Sequence, residues 1–236
     1  MSRLDSYLVQ NDFTDSRTKA QAIIKKSLVS VDGKVVKKPS FVVSDESVVS
    51  VKEHEQFVSR AAYKLKYFLE ELELDVKELV CLDIGSSTGG FTEVLLKNGV
   101  KEVSAVDVGS KQLHTSLKED DRVFSYENTD IREFKSDKKF DLVVSDVAFI
   151  SLLNILDDID RLSGAKIILL YKPQFEVGRE AKRDKNGVVL DEKAIQKAMD
   201  VFEEACKNKS WKLILKSTSK LAGKEGNLEY CYFFEK

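Results

Sequence analysis

Four residues with side chains suited to binding or acid–base chemistry follow directly on short apolar runs of the sequence. Such runs are typical of strands in a parallel sheet that is covered on both faces. The carboxyl ends of these strands meet at one edge of the sheet, where ligands bind. Any one of these residues alone is better explained as a turn or capping residue, but four at successive strand ends predict a site. They are Asp83 after residues 79–82, Asp107 after 103–106, Asp146 just behind 140–144, and Lys172 after 167–171.

A glycine-rich turn follows the first of these acids. The pattern is Asp83-x-Gly85-x-x-x-Gly89-Gly90, and residues 91–96 continue with the spacing of a helix. Glycines at a strand–turn–helix junction allow the backbone to approach a nucleotide-like ligand closely. The spacing is not the Gly-x-Gly-x-x-Gly pattern that holds a pyrophosphate. A turn that merely tightens the junction explains the glycines nearly as well.

Two further features favour S-adenosylmethionine over a dinucleotide. Asp107 is placed to accept the hydroxyl groups of a ribose. The polar turn at Asp130 and Ile131 would set a carboxylate against an adenine amino group and an apolar side chain against the ring. S-adenosylmethionine offers a ribose, an adenine and a zwitterionic amino acid but no phosphate. The sequence therefore favours this cofactor, and a dehydrogenase is the weakest alternative.

The composition argues against several classes of protein. The chain has 236 residues, of which 42% are hydrophobic and 33% charged, which is typical of a globular protein. Its longest apolar run, residues 167–171, is far shorter than the roughly 20 residues of a membrane helix, and the first residues lack a secretory apolar core. The cysteines and histidines are few and scattered, which favours neither a disulfide framework, a metal site nor a catalytic triad. We expect a cytoplasmic protein without a bound metal. The residues in question are Cys81, Cys206, Cys231, His54 and His114.

Residues 1–52 have the pattern of a small separate unit, and a polar linker at 53–58 joins it to the rest. Apolar residues recur at helical spacing in two short stretches, with cap residues at 14–16 between them. Asp32-Gly33 marks a tight hairpin turn between alternating runs. Between residues 16 and 38, seven basic residues stand against one acid in a chain whose net charge is −2. That local excess indicates either an ordinary solvated face or a face that binds nucleic acid.

The order of these elements resembles the S4 RNA-binding domain. The resemblance rests on Arg3-Leu4-Asp5, Ser16-Arg17-x-x-Ala20 and Val29-x-Val31-Asp32-Gly33-Lys34. It implies a positive face that follows an RNA backbone, where phosphate contacts position the RNA but carry little sequence information. Ser27 stands where the S4 pattern more often has glycine. The residues assigned to RNA binding are Arg3, Arg17, Lys19, Lys25, Lys37, Lys38 and, beyond the linker, Arg60.

Residues 59–236 alternate between helix and strand patterns, which predicts an α/β domain with a Rossmann-like sheet. Ser59 is placed to cap a helix whose apolar stripe passes through residues 61–72, with Lys64 on its border. The charged, glycine-containing segment 176–188 is expected to form a mobile loop over the site. Other expected elements are helices around 111–118 and 194–205 and last strands at 212–215 and 229–234.

The order Lys64, Asp146, Lys172, Glu229 resembles the Lys-Asp-Lys-Glu set of 2′-O-ribose methyltransferases of the FtsJ type. With the S4-like unit in front, the chain resembles the TlyA family nearly from end to end, and the string Lys-Pro-Gln-Phe-Glu at 172–176 is specific to it. The other strings that carry the resemblance are Ser59-Arg60-x-x-Tyr63-Lys64-Leu65, Leu82-Asp83-Ile84-Gly85-x-Ser87-Thr88-Gly89-Gly90-Phe91-Thr92, Val106-Asp107-Val108-Gly109, Asp146-Val147-x-Phe149-Ile150-Ser151-Leu152 and Gly226-Asn227-x-Glu229. Ser86, Ala148 and Asp130 depart mildly from the family residues without removing a reactive group.

The resemblance implies a methyltransferase that uses S-adenosylmethionine to modify the 2′-oxygen of a cytidine in 23S rRNA, within the large ribosomal subunit. Longer members also modify a cytidine of 16S rRNA, and the shortness of this chain favours 23S rRNA alone. The family resembles enzymes whose loss confers resistance to capreomycin-type drugs, so an influence on capreomycin susceptibility is expected. The implied cofactor-binding residues are Asp83, Gly85, Ser87, Thr88, Gly89, Gly90, Phe91, Asp107, Val108, Asp130 and Ile131.

The Lys-Asp-Lys-Glu set suits this reaction. A ribose hydroxyl is a poor nucleophile until its proton is accepted, and a lysine can accept it if burial and nearby positive charge lower its pKa toward roughly 7–8. We expect Lys172 to activate the hydroxyl and Asp146 to position it beside the methyl group for an in-line transfer. Lys64 and Glu229 would fix the geometry. Lys64 and the sulfonium would lower the pKa of Lys172, and the two carboxylates would oppose that shift.

Two alternatives of different kinds stay open at this point. A non-catalytic RNA-binding module could keep a vestigial cofactor site, although the complete Lys-Asp-Lys-Glu set argues against it. A membrane-active hemolysin is the other, because members of the family are often labelled hemolysins. No stretch of the sequence is long or amphipathic enough to favour pore formation.

Overall fold

The computed structural model describes residues 1–44, 46–52 and 57–236. The chain divides into two compact units, Met1–Gln56 and Phe57–Lys236. The linker predicted at 53–58 lies largely outside the described residues. Phe57, however, is buried in the core of the larger unit, and Val58 packs against the same core.

The smaller unit is an α+β fold around one apolar core. Its helices pack through buried residues such as Leu4, Leu8 and Ile24. Ser16 caps the second helix as expected, since its Oγ accepts a hydrogen bond from the Lys19 amide. Ser27 has a φ of 62°, in the left-handed region that favours glycine, which explains the usual residue at this turn. The elements are β1 (Ser2–Arg3), α1 (Leu4–Gln10), α2 (Arg17–Lys25), β2 (Val29–Val31), β3 (Lys34–Val35), β4 (Val42–Val43) and β5 (Val49–Val51), with sheet orders β3-β2-β5 and β1-β4.

The larger unit alternates helices and strands. Its strands are β6 (Val80–Ile84), β7 (Glu102–Val106), β8 (Val123–Tyr126), β9 (Phe140–Ser145), β10 (Ser163–Tyr171), β11 (Lys212–Thr218) and β12 (Tyr230–Glu235). Its helices are α3 (Ala61–Leu72), α4 (Gly90–Lys97), α5 (Thr115–Lys118), α6 (Leu156–Leu162), α7 (Pro173–Glu176) and α8 (Glu192–Asn208), with a 3-10 turn at Leu152–Ile155.

The strands of residues 57–236 form one sheet in the order β11-β12-β10-β9-β6-β7-β8. Five neighbouring strands, β10 to β8, run parallel, and β12 pairs antiparallel to β10 and β11. The chain begins at β6, moves outward to β8 and returns to β9 on the other side of β6. A crevice therefore opens at the carboxyl ends of β6 and β9, the position at which open α/β sheets bind ligands. The predicted α/β Rossmann-like class is confirmed.

Both faces of this sheet are covered, which explains the continuous apolar runs of its strands. Along β6, Cys81 packs into one core and Leu82 into the other, and Val144 and Val143 alternate in the same way on β9. One core holds the apolar stripe of α3 with α4, and the other holds residues of α6 and α8. The carboxyl edge of the sheet is thus supported by packed helices on both faces.

Two local expectations differ from the structure, and a third segment shows packing that was not predicted. Ser59 does not cap α3, which begins after Arg60 without a side-chain cap. The helix expected around 111–118 is only the single turn α5. Segment 176–188, expected to be a mobile loop, is irregular after Glu176, and together with Val189 it contributes to a small apolar cluster. That cluster contains Val177, Ala181 and Val189, packed against Ala194, Ile195 and Ala198 of α8.

Candidate active site

The sheet brings the predicted reactive residues to its carboxyl edge. Asp146 follows β9, Lys172 follows β10, and Glu229 directly precedes the antiparallel strand β12. Because β12 runs opposite to β10, the amino end of β12 lies at the same edge as the carboxyl end of β10. Lys64 reaches this edge from α3. The four residues of the Lys-Asp-Lys-Glu set are therefore brought together.

The first reactive pair is Lys172 with Asp146. Lys172 Nζ lies 2.6 Å from Asp146 Oδ1, and the two side chains are only 11% and 13% exposed. The ammonium also donates to the Asp146 backbone carbonyl at 3.3 Å. Within the described residues Asp146 Oδ1 has no hydrogen-bond partner, so this short contact is an ion pair without hydrogen-bond geometry. This oxygen is buried, so its lone pair does not face solvent.

The second pair is Lys64 with Glu229. Lys64 Nζ lies 2.5 Å from Glu229 Oε2, with the side chains 10% and 3% exposed. Gln174 donates to the other Glu229 oxygen at 3.4 Å. Each lysine is thus neutralised by a carboxylate of its own. Lys64 therefore does not stand beside Lys172 as an unpaired positive charge.

A cleft that we call the acidic cleft opens over the ends of β6, β7 and β9. Its described lining residues include three carboxylates and neither lysine nor arginine. A pyrophosphate is poorly matched to such a cleft, whereas a positively charged sulfonium cofactor is well matched. Six predicted cofactor residues line it: Gly85, Ser87, Asp107, Val108, Asp130 and Ile131. Asp146, predicted as a catalytic residue, also lines this cleft. Lining residues that were not predicted as site residues are Ile84, Val106, Gln112, Thr129, Val147, Ala148, Phe149, Ile150 and Ile155.

Asp107 organises the polar side of the acidic cleft. Its two oxygens accept from the Ser87 amide at 2.8 Å and from the Gly109 amide at 2.7 Å. Each oxygen keeps a lone pair, so the carboxylate can still accept from a ribose hydroxyl. Gln112 accepts from the Ser87 hydroxyl at 3.2 Å, which brings its amide to the same place. Gln112 lies in an irregular loop, where no periodicity marks it.

The Asp130 carboxylate is paired with Arg132, so less of its negative charge is available to a ligand than expected. Arg132 binds its carboxylate through two hydrogen bonds, of 2.9 and 2.6 Å, and this contact lowers the pKa of Asp130. The same carboxylate accepts from the Arg132 backbone amide. Asp130 therefore forms part of a fixed turn at the rim of the acidic cleft, with Ile131 buried beside it.

Two predicted cofactor residues build the turn rather than line a cleft. Asp83 is fully buried, and one of its oxygens accepts from the Thr92 amide at 3.0 Å and from the Thr92 hydroxyl at 2.6 Å. Gly89 has a φ of 95°, and a side chain there would collide with Leu113 and Leu117. These residues hold the start of α4 against β6 and α5. Their types fitted a ligand site, but long-range packing decides their role.

The buried Asp83 makes folding dependent on pH. Burial raises the pKa of Asp83 to about 7, and its hydrogen bonds from Thr92 only partly oppose this. Asp83 therefore stabilises the fold most below its unfolded pKa of about 3.9, and this contribution is lost as the pH rises toward the folded value. The wild type should lose stability on the order of a few kcal/mol between about pH 4 and 7. Asp83→Asn should not show this loss. Urea unfolding across that range, with the exposed Asp121→Asn as control, measures it. Parallel profiles for Asp83→Asn and wild type would contradict the prediction.

A second cleft, which we call the basic cleft, adjoins the acidic one across the glycine turn. Within the described part of the chain, its charged lining residues are Arg60, Lys64, Lys172, Lys224 and the single acid Asp146. Thr88, Gly90 and Phe91, predicted to bind cofactor, lie here, and Gly85 and Ser87 border both clefts. Asp146 also lines both clefts, so the Lys172–Asp146 pair stands at their junction.

A third cleft, the outer cleft, continues from the basic cleft past Lys64 and Lys172. Phe149 and Phe175 form its aromatic wall, with ring centroids 5.3 Å apart. The Phe149 side chain is 91% exposed, and its φ of 66° is unusual for a bulky residue. A solvent-facing ring held in a strained backbone at a cleft wall indicates a stacking surface. The polar lining residues are Lys64, Lys172, Gln174, Arg183, Asn186, Lys224, Glu225, Asn227 and Glu229.

Each of the two units matches a known protein family. Residues 57–236 match the FtsJ-like methyltransferase family, and residues 2–49 match the S4 domain. A 23S rRNA (cytidine-2′-O)-methyltransferase TlyA from Campylobacter jejuni is 54% identical over 182 residues, which cover 77% of this chain and 72% of that protein. The chain belongs to the TlyA family. The predicted family is thereby confirmed.

Two further TlyA-family comparisons extend over more of the chain. A 16S/23S rRNA (cytidine-2′-O)-methyltransferase TlyA from Mycobacterium tuberculosis is 37% identical over 97% of this chain and 88% of that protein. A solved structure from Streptococcus thermophilus that carries the name hemolysin superimposes with a TM-score of 0.74 at 32% identity. It covers 100% of this chain and 88% of that one. The family thus includes both methyltransferase and hemolysin names.

In the S4 domain of this TlyA-family chain, Arg3 and Arg17 both bind the buried carboxylate of Asp5. Asp5 is fully buried and accepts from Arg3 at 3.0 Å and from Arg17 and Gln21 at 2.9 Å each. The bond from Arg3, followed by those from Arg17 and Gln21, keeps the pKa of Asp5 well below its usual range. Both guanidinium groups are about half exposed, so part of each still faces solvent.

The remaining residues assigned to RNA binding differ in their surroundings. Lys19 pairs with Asp15 at 2.7 Å. Arg60 belongs to the larger unit, where it lines the basic cleft and donates to the Ala222 carbonyl at 3.4 Å. Lys25, Lys37 and Lys38 are exposed, as are Lys26 and Lys34 of the same domain.

Residues 1–44, 46–52 and 57–236 of this TlyA-family chain contain neither a helix suited to span a membrane nor a cluster suited to bind a metal ion. No helix in these ranges is both long and apolar enough to cross a bilayer. The same ranges hold no cluster of three or more histidine, cysteine, aspartate or glutamate side chains arranged to bind a metal ion.

Proposed function

We propose that this TlyA-family chain transfers a methyl group from S-adenosylmethionine to the 2′-oxygen of a cytidine in 23S rRNA. The observation that carries the proposal is the position of the Lys172–Asp146 pair. It lies where a cleft suited to a cationic cofactor meets a cleft suited to a polyanion. A 2′-O-methyltransferase needs an acid–base group at that junction.

The acidic cleft fits the cofactor in chemistry as well as charge. Asp107 would accept from the ribose hydroxyls, and Gln112 lies beside it as a further polar partner. The apolar residues Ile84, Val106 and Ile131 supply walls for a flat adenine ring. S-adenosylmethionine, when bound, supplies an electrophilic methyl group on a sulfonium.

The basic cleft would receive the RNA. Four cationic side chains there outnumber the one carboxylate, which favours a phosphate backbone. Arg60 and Lys224 would hold phosphates, because the two other cations, Lys64 and Lys172, are neutralised by their own acids. The S4 domain would add a sequence-independent grip through Arg3, Arg17 and exposed lysines.

Lys172 and Asp146 would perform the chemistry. The Asp146 carboxylate, which borders both clefts, would accept from the ribose 2′-hydroxyl and orient its oxygen. Lys172 Nζ lies against the same carboxylate. In its neutral amine form, after its own proton has been released to solvent, it would take the hydroxyl proton as the oxygen becomes a nucleophile. Lys64 and Glu229 would hold the surrounding side chains of the site in place. Most of the rate gain would come from the orientation of the reacting groups.

The substrate assignment rests on the relatives. The 54% identical protein from C. jejuni carries the 23S name, and the 37% identical one from M. tuberculosis carries both 16S and 23S names. We therefore place the target in the large subunit, in the cytoplasm where ribosomes are found. By the same relationship, cells that lose this protein should become less susceptible to capreomycin-type drugs.

The decisive experiment incubates purified protein and radiolabelled S-adenosylmethionine with unmethylated large and small ribosomal subunits separately. The labelled nucleotide is then mapped. Label on a cytidine 2′-oxygen of the large subunit alone supports the proposal. Label in both subunits supports the reaction and refutes the narrow substrate choice. No label in either, from protein that binds the cofactor, refutes the proposal and favours an RNA-binding module.

Phe149 is expected to stack on the target base. Exposed aromatic rings bind extruded bases through stacking worth about 1–3 kcal/mol. Phe149→Ala should therefore lower kcat/KM for ribosomal substrate by about 10- to 100-fold, while Phe149→Tyr keeps most of it. Cofactor affinity, measured by calorimetry, should show whether the effect is confined to RNA. Equal activity of Phe149→Ala and wild type would show that the ring does not contact substrate.

A further inference from the structure

Two loops carry the reactive pair, and a contact network outside the pair ties them together. Asp146 begins the loop after β9, and Lys172 begins the segment after β10 that continues as α7. Phe149 of the first loop packs against Phe175 of the second. The relative position of these loops sets the relative position of Asp146 and Lys172.

Glu176, the last residue of α7, makes the polar part of this network. Its Oε2 accepts from the Ser151 hydroxyl at 2.6 Å, and its Oε1 accepts from the Leu152 backbone amide at 2.9 Å. Ser151 Oγ in turn accepts from the Leu153 amide and caps the 3-10 turn that follows. Burial raises the pKa of Glu176 and the two donated bonds oppose this, so protein groups have taken the place of water around the carboxylate.

We propose that Glu176 is a positioning residue for methyl transfer. It fixes the loop of Asp146 and Phe149 to the segment that carries Lys172, and this role rests on the proposed function. Glu176 is absent from the residues that line the three clefts in the described part of the chain, so it acts through the loop and does not touch the reacting atoms.

The backbone of the loop explains why it needs such a brace. Phe149 has a φ of 66°, a conformation that costs a bulky residue energy and persists only when the surroundings enforce it. Two residues separate Asp146 from Phe149, and the anchor at Ser151 and Leu152 follows after Ile150. Without the anchor the loop is free to relax, and a shift of about 1 Å in a reacting group can cost on the order of 100-fold in rate.

The test compares Glu176→Ala with Glu176→Gln in the full-length protein, using ribosomal substrate and saturating cofactor. A glutamine can accept from the Leu152 amide and donate to the Ser151 hydroxyl, so it preserves the brace without the charge. We expect Glu176→Ala to lower kcat by about 10- to 100-fold with cofactor affinity within about twofold of wild type, and Glu176→Gln to restore kcat to within about threefold. Glu180→Ala, which removes an exposed carboxylate four residues on, is the matched control and should match wild type.

Several results would overturn the assignment. An unchanged kcat in Glu176→Ala shows that the loop holds its place unaided. A Glu176→Gln variant as slow as Glu176→Ala shows that the charge matters and not the brace. Loss of cofactor affinity in parallel with kcat shows a general structural role.

Two further measurements keep the test decisive. If Glu176→Ala does not fold, Ser151→Ala, which removes one anchor, should lower kcat in the same direction, and wild-type kcat in that variant overturns the inference. Wild-type protein that transfers no methyl group to ribosomal RNA would refute the proposed function itself. An active wild type with an equally active Glu176→Ala refutes this inference alone.

Discussion

Replacing Lys172 by alanine should abolish methyl transfer and leave cofactor binding largely intact. Lys172 lines the basic and outer clefts but is absent from the described lining of the acidic cleft, so its loss should not disturb the cofactor contacts. Removal of a positioned acid–base group costs about 10²–10⁴-fold in rate. Single-turnover transfer to ribosomal substrate, together with calorimetric titration of the cofactor, measures both effects.

Two companion variants sharpen this prediction. Lys166→Ala removes a lysine from the far end of the same strand β10 and should behave as wild type. Asp146→Asn should also lose transfer, but it should weaken cofactor binding as well, since Asp146 borders the acidic cleft. A Lys172→Ala variant that keeps a normal rate would remove Lys172 from the mechanism. Parallel loss of rate and cofactor affinity would indicate a structural role.

The edge of the sheet could be predicted from sequence because strand ends are local features. The apolar runs before Asp107, Asp146 and Lys172 mark strands buried on both faces, and the structure covers both faces with separate cores. Topology then brings the ends of those strands together. Asp83 ends a run of the same kind, yet its carboxylate binds Thr92 inside the fold. Residue type and position cannot separate these two outcomes, because packing between β6 and α4 decides them.

The partners of the reactive residues lay beyond local sequence patterns. Lys64 and Glu229 are 165 positions apart, and only the resemblance to a family placed them in one set. The pairing of Lys64 with Glu229 depends on the antiparallel insertion of β12 beside β10. The pairing of Lys172 with Asp146 follows from the parallel neighbours β10 and β9. Gln112 carries no pattern signal at all, since it lies in an irregular loop that Asp107 and Ser87 hold in place.

The packing of segment 176–188, a loop, also could not be predicted from the sequence pattern. Its charges and glycines are typical of a mobile segment, and its apolar residues are too isolated to form a stripe. In the fold, Val177, Ala181 and Val189 nevertheless gather against α8. This cluster combines isolated residues of a loop with residues of a later helix. Its members therefore show no regular spacing along the sequence.

The buried Lys64–Glu229 pair should be the most sensitive point of the larger unit to substitution. Removing one partner leaves the other charge buried and uncompensated, which typically costs about 3–5 kcal/mol. The side chains are 10% and 3% exposed, so water screens this pair little. Lys64→Met and Glu229→Gln, each alone, should therefore lower the free energy of unfolding by that amount. Urea denaturation measures it, with the exposed pair variant Lys207→Met as control.

The double variant separates stability from catalysis. Lys64→Met with Glu229→Gln removes both charges together, keeps an amide beside Gln174, and should recover most of the stability that each single variant loses. It should not recover methyl transfer if the pair orients Lys172 and the ribose within the shared clefts. Activity that returns together with stability would show that the pair only holds the fold. Stability that returns without activity assigns it to the geometry of the reaction, because a neutral pair of similar volume packs as well but cannot reproduce the charged contacts that fix the site.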